Sequence, residues 1–428
     1  MRRVVALVAL SSIVATGCTG SNEPATPSRS SSPVPSVDVL TGTTTAAQAM
    51  DRLCVPADVV ADPVTKVPTP QAIMEVEDEV EAVRDLRYDR PVNVEPITDR
   101  EMDRRLAKYF EAYYPEEFYD RRSLAWQTIG ALPTDVGYLE ALDAYQQGQV
   151  LGFYNSQNEE LVYTGDADLD RIEQFVLAHE LTHAIDDQHF DLDRLDDMAI
   201  ACQDEPFEAA LGVVEGSANH FATQVILRFP NPTTGEIPAG GDTSAVPPMI
   251  TELQAYPYTD GQRFVDAIAD EGGTDAVDEA LRSFPTTTEQ VLHPAKYPDE
   301  QPQDLDVPDF APTFGEDWED LDVMVVGELW LRVLLGLRLG DASASTAAAG
   351  WDGGIYRAWS DGDDVAVALV TAWDTPADAS AFADALRGWV RDGDGHGVVL
   401  DADGDRVVAG FASSEDLIGP LAAALRTI

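Results

Sequence analysis

Apolar positions at helical spacing dominate this chain, and short alternating stretches are set between them. Residues 70–118 carry the helical period, interrupted by the strand-like Arg90-Pro91-Val92-Asn93-Val94. Residues 124–149 read as helix again, broken at Pro133. Residues 150–154 and 160–163 flank the turn-rich Asn155-Ser156-Gln157-Asn158, which predicts a β-hairpin. After Gly165 a long helix is expected to about Gln188, opened by Asp166, Asp168 or Asp170 as cap. A second should run from Pro206, suited to a first helical position, to about Arg228, ahead of a Gly/Pro-rich loop at 230–248. Residues 321–339 are apolar on nearly every side and predict a buried helix, with Glu328 inside it as a paired buried acid.

From Ile355 onward the pattern is strand (365–372), helix (378–390), hairpin (398–411) and helix (414–425), a small α+β unit. Asp392-Gly393-Asp394-Gly395 and Asp401-Ala402-Asp403-Gly404-Asp405 lack the spacing of a calcium loop and are read as turns. The expected fold class is α+β: mainly helical, a small mixed or antiparallel sheet beside the 165–188 helix, and the α+β unit at 351–428.

The N-terminus changes the picture of where the protein resides. Met1-Arg2-Arg3 precede an apolar run over 4–16 that is too short to span a bilayer, followed by Gly17-Cys18, which is the grammar of an export signal. Ala15-Thr16-Gly17-Cys18 resembles the lipobox of bacterial lipoproteins, although Ala15 stands where Leu is usual. The resemblance implies cleavage before Cys18 and its lipidation, hence a membrane-anchored protein on the extracytoplasmic face, with residues 1–18 as signal. Residues 19–45, rich in Ser, Thr and Pro, cannot bury enough apolar area to order themselves and are read as a tether; the folded chain follows, 46–350 and then 351–428. In an oxidising compartment Cys54 and Cys202 are a candidate disulfide, the alternative being two buried thiols.

Charge narrows the partners. With 77 acidic and 27 basic residues the formal charge is −50. Such a surface repels phosphate backbones and anionic headgroups, which excludes nucleic acid and leaves a lipid as the only route to the membrane.

The chemistry lies in Ala178-His179-Glu180-Leu181-Thr182-His183. Residues four apart share a helical face, so both imidazoles can reach one metal ion while Glu180 projects beside it as a general base. A catalytic zinc needs a third protein ligand. Glu215, in Val213-Val214-Glu215-Gly216-Ser217-Ala218-Asn219 on the next helix, is the leading candidate. Gly212, Gly216, Ser217 and Ala218 would let the two helices approach, and Asn219 could accept the free ring N–H of a ligand His. The rival is His189, ten residues after His179 at the spacing of His-Glu-x-x-His-x-x-Gly-x-x-His, although Asp186 occupies the glycine position. Oxyanion donors are sought in His293 and Tyr297, with Tyr163 and His220 behind them. The 150–163 hairpin stands in the chain order of a substrate-pairing edge strand.

His-Glu-x-x-His with a downstream Glu resembles the gluzincin branch of the zincin metallopeptidases. More closely, Ala178-to-Leu192 (AHELTHAIDDQHFDL) and Val214-to-Ala218 (VEGSA) are similar to a set of bacterial lipoproteins and exported proteins classed as metallopeptidases. Gly152-to-Tyr154 and Thr288-to-Tyr297 (TEQVLHPAKY) extend the likeness, over about residues 70–370. The resemblance implies a zincin-like fold, one Zn2+ on His179, His183 and Glu215, Glu180 as base, and a peptide or protein substrate. Two other functions compete: a zinc-stabilised binding or scaffolding lipoprotein without turnover, and hydrolysis of a non-peptide amide in cell-envelope material.

Overall fold

The computed structural model describes residues 44–55, 69–146, 150–164, 169–233 and 245–428, with backbone alone at 107–113. The expected signal, Cys18, all but the end of the tether, and the cap candidates Asp166 and Asp168 lie outside the described residues. The first part contains α1 (Ala46–Leu53), α2 (Gln71–Arg84), β1 (Asn93–Pro96), α3 (Asp99–Tyr113), α4 (Glu116–Ile129), α5 (Tyr138–Gln146), β2 (Gly152–Asn155) and β3 (Glu160–Tyr163). Then follow α6 (Arg171–Phe190), α7 (Arg194–Ile200), α8 (Asp204–Arg228), α9 (Pro248–Tyr256), a π-helical turn (Pro257–Gly261), α10 (Gln262–Gly272), α11 (Thr274–Arg282) and α12 (Thr288–Leu292). The last part holds α13 (Ala311–Phe314), β4 (Glu319–Val325), α14 (Glu328–Leu339), α15 (Asp341–Ala348), β5 (Trp351–Ser360), β6 (Val365–Trp373), α16 (Pro376–Arg391), β7 (His396–Val399), β8 (Arg406–Ala412) and α17 (Glu415–Leu425).

The class is α+β, as expected. Strand β3 is central in a mixed three-stranded sheet, parallel to β1 and antiparallel to β2, so the hairpin is present and β2 is an outer strand. The second sheet is antiparallel in the order β4-β5-β6-β8-β7. The two Asp/Gly stretches are turns: 392–395 links α16 to β7, and 401–405 closes the β7–β8 hairpin through an Asp403–Arg406 bridge. One apolar core runs from Val80, Leu177, Leu181 and Val213 through Trp330 into Tyr356 and Leu369, joining the helices to the second sheet. No helix among the described residues is long and apolar enough to cross a membrane.

Two expectations change. Residues 321–339 are not one helix: β4 runs to Val325 and α14 starts at Glu328. A strand covered on both faces shows no apolar/polar alternation and reads like a buried helix. Gly327 marks the break, because a Cβ there would overlap the Glu205 carboxylate. Strand β4 pairs with β5, so the C-terminal sheet takes its first strand from before residue 351. Helix α1 packs against that strand, and buried Arg357 holds Thr44 through its carbonyl (2.8 Å) and hydroxyl (2.9 Å). The Cys54–Cys202 disulfide is formed and ties α1 to the segment before α8 across 148 residues.

Candidate metal centre

Helix α6 is fixed at its start by a capping box. Asp170 accepts from the Ile172 and Glu173 amides at 2.7 and 2.9 Å, and Glu173 accepts from the Asp170 amide at 2.8 Å. Its middle is buried on every side, so the polar residues His179, Glu180, Thr182, His183 and Asp186 must find partners inside the protein. Thr182 turns its hydroxyl back to the Ala178 carbonyl at 2.7 Å, while the histidines look outward from the helix.

Those histidines meet Glu215 of α8. His179 Nε2 lies 3.1 Å and His183 Nε2 3.5 Å from Glu215 Oε2, and the two ring nitrogens are 3.0 Å apart. Tetrahedral zinc with bonds of about 2.0–2.1 Å sets its donor atoms about 3.3–3.4 Å apart. The observed triangle is that size within a few tenths of an ångström. All three residues, and Glu180, are at most 1% exposed. Glu215 Oε1 has no hydrogen-bond partner, a costly arrangement for a buried carboxylate unless a cation lies beside it. The residues therefore fit one divalent ion of the zinc type, which takes N and O donors in this number.

Electrostatics point the same way. Burial raises the Glu215 pKa, but His183 and His179 outweigh it and hold the carboxyl below the ordinary range. Burial opposes an imidazolium at His183, yet the Glu215 carboxylate outweighs it and raises that pKa. The cluster attracts positive charge. Asn219 sits where the sequence placed it: its Oδ1 accepts from His179 Nδ1 at 3.0 Å, and its Nδ2 donates to the Tyr258 carbonyl at 3.4 Å.

The small residues of α8 divide their work differently from the expectation. Ser217 faces α6, donating to Asp186 Oδ2 at 2.8 Å. Gly212 and Gly216 face the π-helical turn instead: a Cβ at Gly216 would overlap the Gly261 carbonyl, and one at Gly212 would press on the Tyr256 hydroxyl at 3.0 Å. Positions 212 and 216 share a face that lies about a third of a turn from Ser217. The turn they admit brings Tyr258, whose ring centroid is 6.2 Å from that of His179.

His189 does not join the cluster. Helix α6 continues unbroken past Asp186, which is held by Arg84 at 2.7 Å, and His189 Nε2 donates to the Arg87 carbonyl at 2.7 Å. His293 and Tyr297 are also engaged elsewhere. His293 Nε2 pairs with both oxygens of buried Glu328, at 2.9 and 3.0 Å, and that bond raises its pKa despite partial burial. Tyr297 donates to the Ser283 carbonyl at 2.7 Å and stands edge-on to Phe264. His293 precedes the Pro294 turn and its ring meets the first residue of α14, so Glu328 is the paired acid expected, and neither His293 nor Tyr297 has a described contact with the metal cluster. His220 pairs with Asp266 at 2.6 Å, and Tyr163 is buried in the core at the end of β3.

Strand β2 lies against the acid of the motif: a Cβ at Gly152 would come within 3.2 Å of Glu180 Cγ and 3.1 Å of Val176 Cγ1. A second acidic group, Glu289, Glu300 and Asp374, closes around the Lys296 ammonium at 2.6, 2.9 and 2.9 Å, so its cation is a side chain. Sequence reading missed Tyr258, which carries no local signal beyond the distant Gly212, Gly216 and Gly261 that seat it. It also missed Arg84.

Comparison with known proteins adds little to this. Residues 318–416 match the model of a domain of unknown function, DUF8575, which covers β4 through β8 and none of the metal cluster. No curated protein matches the chain. A solved structure described as "a putative hydrolase with a novel fold", from Chloroflexus aurantiacus, is 15% identical, with 59% of this chain and 95% of that one covered at a TM-score of 0.30. A superposition that loose transfers neither fold nor activity.

Proposed function

We propose that this protein is a zinc-dependent metallopeptidase, anchored through Cys18 on the outer face of the cell membrane, that hydrolyses peptide bonds with Glu180 as general base. The carrying observation is the convergence of His179, His183 and Glu215 on one point, with Glu180 next to His179 on the same helix. His179, His183 and Glu215 would hold the ion, whose contribution is to acidify a water to a pKa of about 7 and polarise a carbonyl. Asn219 keeps His179 Nδ1 protonated, which turns the Nε2 lone pair toward the cluster. Glu180 takes the proton of the attacking water on its carboxylate and delivers it to the departing amine nitrogen. Strand β2 has β3 on one side only and Gly152 packed on Glu180, but all four of its residues are buried, so the edge expected to pair with substrate is covered in this structure. The anchor rests on the 1–18 pattern alone.

Purified full-length protein should cleave unstructured peptides or proteins, lose activity to a chelator, and regain it with zinc. Metal uptake without cleavage of any peptide in a broad library would contradict peptidase function. A second reading is favoured by the near-complete burial of all three ligands: a zinc that stabilises a binding or scaffolding lipoprotein. Metal-dependent thermal stability with no turnover would select it. Hydrolysis of an envelope amide would be selected by release of amine from cell-wall material and not from peptides.

A further inference from the structure

The two helices that carry the metal cluster are braced by buried charges that peptide hydrolysis itself does not require. Arg84, at the end of α2, is fully buried; its Nε lies 2.7 Å from Asp186 of α6 and its Nη1 2.6 Å from Asp278 of α11. The guanidinium also rests on two rings, 4.6 Å from the centroid of Phe221 on α8 and 5.4 Å from that of Phe190 on α6. Asp186 uses its other oxygen to accept from Ser217 of α8 at 2.8 Å. One connected group thus touches both ligand-bearing helices, reaching α6 three residues past His183 and α8 two residues past Glu215.

Energetics make this arrangement informative. Desolvating an ion pair costs about as much as its Coulomb attraction returns, and well-packed apolar residues of equal volume often serve stability as well or better. What the charged version adds is direction: hydrogen bonds between Ser217, Asp186 and Arg84 allow one rotation and one axial register of α8 against α6, where apolar packing would tolerate several. The donor atoms of the cluster lie 3.0 to 3.5 Å apart, so a slide of an ångström between the helices would remove Glu215 from the histidines.

We infer that Arg84, Asp186 and Ser217 are positioning residues for the metal centre, setting the register of the helix that bears Glu215 against the helix that bears His179 and His183. The inference rests on the metal-site reading proposed above. Arg84 presses on Phe221 and Phe190 and bonds Asp186, and none of the three hydrogen-bonds to the metal cluster in any described contact. The Asp186 carboxylate also acts on His183 through space, so Ser217→Ala, which leaves every charge in place, isolates the positioning effect; it should appear in metal affinity and coordination geometry more than in the stability of the metal-free fold.

The test uses the full chain in three forms: wild type, Ser217→Ala, and the double variant Arg84→Met with Asp186→Leu, which removes both buried charges together. Zinc affinity is measured by competition with a chromogenic chelator, the absorption spectrum is recorded with cobalt(II) in place of zinc, and the melting temperature is taken without metal. Expected are a zinc affinity about 10–100-fold weaker, the magnitude typical of residues that orient metal ligands, and an altered cobalt spectrum, with the metal-free melting temperature of Ser217→Ala close to wild type. Unchanged affinity and spectrum in Ser217→Ala would overturn the inference, whether or not the double variant folds. A wild type that binds no zinc would overturn the metal-site reading itself, a failure distinct from normal binding in wild type and variants alike.

Discussion

Asn219 Oδ1 lies 3.0 Å from His179 Nδ1, and its amide nitrogen is held by the carbonyl of Tyr258. This fixes the imidazole tautomer: Nδ1 carries the proton and Nε2 faces Glu215 with its lone pair. Replacing Asn219 by Ala should weaken zinc binding about 10–100-fold in a chelator competition, with the fold retained. Unaltered affinity would mean that the ring is oriented by packing alone.

In the proposed mechanism Glu180 transfers a proton and does not hold the ion. Glu180→Gln should therefore keep one zinc per chain while turnover falls by at least about 10²–10⁴-fold. Both quantities belong in one experiment, since loss of metal together with activity would make Glu180 a ligand.

The pH dependence has a definite sign. Glu215, with its pKa depressed beside the histidines, contributes stability above the ordinary carboxylate value of about 4.3 and loses it as pH falls through its lower folded value. His183, with its pKa raised by Glu215 against burial, contributes below about 6.5 and loses it as pH rises through its folded value. Zinc takes the place of the imidazole proton, so the rise in melting temperature on adding zinc should be larger at about pH 8 than at about pH 6. A gain that is flat or reversed would contradict proton displacement at His183.

Gly216 meets the carbonyl of Gly261 with no space for a side chain. Gly216→Ala should cost about 1–3 kcal/mol, the usual penalty of overpacking, read from denaturant unfolding. Because the π-helical turn would shift, Tyr258 would move away from His179, and turnover should fall beyond the loss of folded protein. A fully stable Gly216→Ala protein would mean that the turn is free to withdraw.

The Cys54–Cys202 bond closes a loop spanning 148 residues. Its removal in Cys54→Ala with Cys202→Ala should lower stability by about 2–5 kcal/mol in denaturant unfolding. No change would show that α1 is held by Arg357 and Asp306 without it.

Much of the centre was legible because its information is local. His179, Glu180 and His183 fall within five residues of one helix, and Glu215 and Asn219 within five of the next. The strand at 319–325 was not, since burial on both faces erases the alternation that marks a strand. Nor was its pairing with β5, which moves the C-terminal sheet across residue 351 and depends on contacts far apart in the chain. His293 and Tyr297 shared a motif-like segment, yet their partners Glu328 and Ser283 are set by how α12 docks on its neighbours. Arg84 and Asp186 are 102 residues apart, and no periodicity links them.

The most direct test is the zinc content of purified wild type, Glu215→Ala and His189→Ala after exhaustive dialysis. The account predicts one zinc per chain in wild type and His189→Ala, and little in Glu215→Ala. Zinc kept by Glu215→Ala and lost from His189→Ala, or absent from wild type even after zinc is supplied, would contradict it.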